Sequence, residues 1–128
     1  MKGETGMHAM ILAFESPGDF ARRQDKAQYK AYMEGWYAYG GSLEKAGVLK
    51  SGGALLGPET ATVISLKDGK RVVEDGPFTD SKEQLGGFFI IEVGSIDEAA
   101  KWAKSCPAAK EGRVDVRAVP DDYPIGGE

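Results

Sequence analysis

Met7 to Phe14 (MHAMILAF) is a short, nearly continuous apolar run, the pattern of a strand buried on both faces. His8, Met10, Leu12 and Phe14 share one side. Ala9 and Ala13 flank Ile11 on the other, and such small residues suit a closely packed helix. Ser16-Pro17-Gly18-Asp19 reads as a turn. From about Phe20 to Ala46 the apolar spacing changes to 3–4, through Tyr29, Tyr32, Met33, Trp36, Gly40 and Leu43. This predicts one long helix, stopped by Gly47 in the left-handed conformation. Gly40 and Gly41 lie inside it, each costing about 1 kcal/mol against Ala.

Strand patterns then return. Val48 to Leu56 is irregular, broken by Gly52-Gly53, while Ala61 to Leu66 alternates. Asp68-Gly69 signals a hairpin into Arg71 to Glu74. Asp80 and Glu83 frame a capping box for a short helical turn that Gly86-Gly87 must end. Phe88 to Val93 (FFIIEV) is the most apolar strand and is expected at the sheet centre. Ser95 and Glu98 cap a second helix, with Ile96, Ala99, Ala100 and Ala103 on one face and Cys106-Pro107 at its end. Val114 to Val119 alternates as the last strand.

The element order predicts a single α+β domain over residues 1–128. Its fold class is a ferredoxin-like sandwich, an antiparallel sheet with two helices on one face. Residues 1–6 and about 120–128 are expected to be flexible or extended tails. The helix-free face of such a sheet is bare, and a homodimer pairing two sheets face to face would cover it.

Composition narrows the chemistry. The chain has 128 residues and a formal charge of -4, which disfavours nucleic acid and anionic lipid as partners. One Cys and one His remove a disulfide, a cysteine zinc cluster and a multi-histidine metal site, so neither metal nor cofactor is expected. No apolar run approaches the roughly 20 residues of a membrane span, no signal-peptide pattern is present, and a cytoplasmic setting is expected. No nucleotide-binding glycine fingerprint occurs.

The stretch Asp75 to Gly87, DGPFTDSKEQLGG, followed by FFIIEV, resembles the DGPF branch of the YCII-related proteins. Ala46-Gly47-Val48-Leu49, Leu85-Gly86-Gly87-Phe88, Asp97-Glu98-Ala99 with Trp102, Cys106-Pro107 and the closing Val-Asp-Val-Arg strand recur in the same order. The resemblance covers roughly Met7 to Val119 and implies the dimeric α/β-barrel type of the ferredoxin-like fold, and a homodimer. Most of that family has no assigned reaction. Some relatives look like small-molecule enzymes with a His on the first helix and an Asp nearby, and one branch removes HCl from a chlorinated muconolactone. Counting back from Gly47 places that His near Trp36; the one His here, His8, lies on the first strand, so the His half of the pair is absent. DGPF proteins also resemble gene neighbours of extracytoplasmic-function sigma factors, which implies a regulatory alternative.

Asp75-Gly76-Pro77-Phe78 reads as a rigid turn with Phe78 as an anchor. The same loop suits the rim of a pocket. Asp75 and Glu83 are the candidate catalytic carboxylates, with Glu34 a possible third. Trp36, Tyr37, Phe78 and Thr79 are candidate ligand contacts, and a Tyr hydroxyl is a candidate donor. The expected activity is small-molecule binding, or proton transfer and elimination on a small oxygenated or lactone-like compound. The alternative is a non-catalytic interaction module.

Overall fold

The computed structural model describes residues 6–76 and 82–125. Four strands form an antiparallel sheet: β1 (Met7–Glu15), β2 (Leu49–Ala54), β5 (Gln84–Val93) and β6 (Arg113–Val119), in the order β2-β5-β1-β6. β3 (Thr62–Lys67) and β4 (Lys70–Asp75) make a separate two-stranded hairpin between β2 and β5. The helices are α1 (Pro17–Gln24), α2 (Lys26–Lys45) and α3 (Ile96–Lys104). With the hairpin set aside, this is the ferredoxin-like arrangement the sequence predicted.

The core lies on one side of the sheet. Ala9, Ile11 and Ala13 of β1 and Ile91 of β5 are fully buried there, against Tyr39 and Leu43 of α2 and Ala99 and Ala103 of α3. The small β1 residues bring the helices close to the sheet, as their spacing predicted. The opposite side of β1, with His8, Met10, Leu12 and Phe14, is only half-buried. The strand is therefore sealed on one face, not on both. β5 is interior, flanked by β2 and β1.

Three local predictions are corrected. The long helix is two helices divided at Asp25, whose extended backbone (φ −95°, ψ 114°) ends α1. Its carboxylate accepts the Ala27 N–H at 2.8 Å and so opens α2. Ser16 to Asp19 is not a free turn but the start of α1. Ser16 Oγ accepts the Asp19 N–H at 3.0 Å, Asp19 Oδ2 accepts the Ser16 N–H at 3.2 Å, and Pro17 occupies the first helical position. Gly86-Gly87 end no helix: they lie within β5, close-packed strand backbone where a side chain would collide.

Other signals hold. Gly47 has φ +77°, and the β3–β4 turn has Asp68 at φ 51° and Gly69 at φ 76°. Ser95 Oγ accepts the Glu98 N–H at 3.1 Å, while Glu98 reaches one residue further back than expected, to the Gly94 N–H at 2.9 Å. Residues 120–125 form a turn and a short irregular stretch. Among the described residues no helix is long and apolar enough to cross a membrane.

Candidate functional site

Alternation along β1 carries the site. Ala9, Ile11 and Ala13 face the core, and the next position in phase is Glu15. Glu15 is 1% exposed, a carboxylate where the pattern demands an apolar side chain. A buried charge at such a place needs partners, and two are present. Tyr32 of α2 donates its hydroxyl to Glu15 Oε1 at 2.5 Å, and Arg23 of α1 places Nη2 3.1 Å from Oε2. Arg23 also donates to the Leu55 carbonyl at 2.5 Å and the Gly86 carbonyl at 3.2 Å, tying the end of α1 to the loop after β2 and to β5.

The β1–β5 register shifts at this end. Ala13 pairs with Gly87 but Phe14 with Leu85, so Gly86 is the extra residue of a β-bulge. A β-carbon at Gly86 would overlap the Glu15 carboxylate. Burial pushes the Glu15 carboxyl above its ordinary value, an effect opposed by the Tyr32 hydrogen bond and the Arg23 charge. Burial and the bond to Glu15 push the Tyr32 phenol well above its usual range, so it stays a donor.

A cavity of about 430 Å³ adjoins this cluster. Glu15 and Arg23 line one part of it, with Met33, Trp36, Tyr37 and Phe89 among the other lining residues. Trp36 and Phe89 stack at 6.2 Å with 16° between their planes, and Tyr39 meets Phe89 edge-on at 5.4 Å. The Trp36 Nε1–H is buried without a regular hydrogen bond among the described residues. It nevertheless acts on the Tyr32 hydroxyl, opposing that group's pKa rise. A second cavity of about 420 Å³ shares Arg23 and Met33 and is lined by Phe20, Tyr29, Leu55 and Leu56.

The profile of the YCII-related domain matches residues 7–121. The chain belongs to the YCII-related family. An uncharacterised protein of Rhizobium meliloti (strain 1021) is 36% identical to this YCII-related chain over 75 residues, 57% of the chain and 60% of that relative's length. Among solved structures, the chain is similar to a 5-chloro-2-hydroxyhydroquinone dehydrochlorinase from Burkholderia phenoliruptrix AC1100, in complex with 2,5-dihydroxybenzoquinone. The TM-score is 0.51 at 22% identity, covering 89% of this chain and 94% of that one. At that identity the likeness shows the YCII-related fold.

The candidates read from the sequence fall in different places. Trp36 and Tyr37 line the cavity beside Glu15. Asp75 is exposed at the end of β4 and Glu83 is half-buried just before β5; neither lines either cavity. Phe78 and Thr79 lie outside the described residues. Glu34 is exposed on α2, and His8 is half-buried on the far side of the sheet, across from Glu92 and Val119. Among the described residues no cluster of His, Cys, Asp or Glu could hold a metal ion. Sequence reasoning missed Glu15 and Arg23. The available signal was a carboxylate in the buried phase of β1.

Proposed function

We propose that this YCII-related chain is a homodimeric enzyme that binds a small, flat, oxygenated compound of quinone or lactone type and moves a proton on it, as in an elimination. The observation that carries this reading is the buried Glu15 carboxylate, bonded to Tyr32 and Arg23, at the edge of a cavity walled by the stacked Trp36 and Phe89. The reaction class is that of the dehydrochlorinase to which the fold is similar.

The chemistry follows from these groups. A flat ring fits against the Trp36–Phe89 stack. Glu15, its basicity raised by burial, takes a proton from substrate carbon; the freed electron pair forms the double bond, and the leaving group departs with its bonding pair. Arg23 offsets negative charge that develops on a substrate oxygen, and Tyr32 orients the carboxylate. The half-buried sheet face with Met10, Leu12 and Phe14 is the surface a second copy covers.

The test is a thermal-shift titration with 2,5-dihydroxybenzoquinone and simple lactones, together with halide release from chlorinated analogues. Wild type should be stabilised and should release halide. Trp36→Ala should lose the stabilisation, and Glu15→Gln should keep binding but lose turnover. Asp75→Ala and Glu83→Ala complete the set, since a base at either position would show as lost turnover there instead. No stabilisation and no halide release in wild type would overturn the enzymatic reading in favour of an interaction module, for example one associated with an extracytoplasmic-function sigma factor.

A further inference from the structure

The β3–β4 hairpin alternates sharply. Thr62, Ile64 and Leu66 of β3 and Arg71, Val73 and Asp75 of β4 share one face, with Ile64 opposite Val73, Leu66 opposite Arg71 and Thr62 opposite Asp75. This face is open: Ile64 is 60% exposed, Leu66 67% and Val73 61%. Val63, Ser65 and Val72 on the other face are half-buried. The hairpin belongs to no larger sheet and touches the other elements sparsely among the described residues. Two-stranded hairpins are marginal alone in water, and an exposed β-branched face is a surface awaiting a cover.

We infer that this face packs against the same face of a second copy. Its charge pattern selects that occupant. The turn end is net basic, with Lys67, Lys70 and Arg71 outnumbering Asp68, and the opposite end is acidic, with Glu74 and Asp75. A two-fold axis running across the strands through the Ile64–Val73 pair reverses one hairpin over the other. Ile64 then meets Ile64 of the second copy, Val73 meets its own equivalent, and Arg71 lies over Asp75 of the second copy, twice by symmetry. An axis along the strands would instead set Arg71 over Leu66 of the second copy and leave the charges unmatched. Three exposed apolar residues fall short of the ~800 Å² per partner of a stable interface, so the hairpin contact is weak alone, and joining it to the sheet-to-sheet pairing proposed above requires one two-fold axis to serve both faces. The inference goes beyond that pairing and can fail while the pairing stands.

The test is charge reversal with rescue. Arg71→Asp and Asp75→Arg should each weaken self-association about tenfold in a sedimentation dilution series, and the double variant should restore it. Arg71 and Asp75 sit four residues apart on one strand, about 13 Å, so rescue within one copy is excluded. Ile64→Cys adds a second readout. The native Cys106 is 2% exposed and burial holds its thiol up at about 11, so a short bis-maleimide should join the copies through position 64 alone. Single variants that associate like wild type, a double variant no better than the singles, or no cross-linked species would overturn the inference. If Leu12→Glu dissociates the copies while the hairpin variants change nothing, the sheet pairing stands and the hairpin contact falls.

Discussion

Gly86 and Glu15 share one volume: the space that a side chain at position 86 would fill is occupied by the Glu15 carboxylate. Gly86→Ala should therefore displace Glu15 from Tyr32 and Arg23, with a loss of about 1–3 kcal/mol in urea unfolding. Gly41→Ala is the contrast. It sits inside α2, and its added methyl would meet nothing within 4 Å. It should stabilise the fold by up to about 1 kcal/mol.

Glu15 makes stability depend on pH in a defined direction. Its folded-state pKa lies above the ordinary value of 4.5. Just above that value the folded protein binds more protons at this site than the unfolded chain does. This contribution therefore falls as pH rises from about 4.5 through the folded pKa. Glu15→Gln removes it. The stability of the variant relative to wild type should rise with pH across that window and level off on either side, in chemical denaturation at fixed ionic strength.

Asp25 is both the end of α1 and the cap of α2, accepting the Ala27 N–H and the Gln28 side-chain amide. Asp25→Ala should lower Tm by a few degrees. Asp25→Asn keeps an acceptor and should retain most of the stability. Amide exchange should locate the damage in the first turn of α2, with the core strands still protected.

Leu12 sits on the helix-free face of the sheet, opposite Phe88 of β5 and Asp115 of β6. Leu12→Glu should shift the protein from dimer to monomer in sedimentation while leaving far-ultraviolet circular dichroism unchanged, because the position faces away from the packed core. A wild-type monomer at micromolar concentration would remove the homodimer from the functional reading.

The fold was legible wherever a local signal fixes a local geometry. The Asp68-Gly69 pair needs two positive φ angles and has them, and Gly47 stops its helix for the same reason. Ala9 and Ala13 marked the helix-packed side of β1 by their small size, although the apolar run itself read as buried on both faces. The site was less legible. Glu15 reads as the polar end of an apolar run until its phase is counted, and its partners come from two helices remote from it in the pattern. Asp75 and Glu83 stood out because they flank a conspicuous loop, whereas burial, which sequence position does not report, is what sets Glu15 apart. Gly86-Gly87 misled for a related reason: glycine signals missing volume without saying whether a turn or a neighbour requires it.

The break at Asp25 settles which way Arg23 points. Arg23 and Tyr32 are nine positions apart, and at about 100° per residue an unbroken helix would turn them about 180° away from each other. No single carboxylate could then touch both. Because the chain leaves the helical path at Asp25 and starts again, the angular phase is reset, and both side chains converge on Glu15. Inserting or deleting one residue beside Asp25 would re-aim Arg23 without changing any group in the cluster, so the length of this joint is itself part of the site.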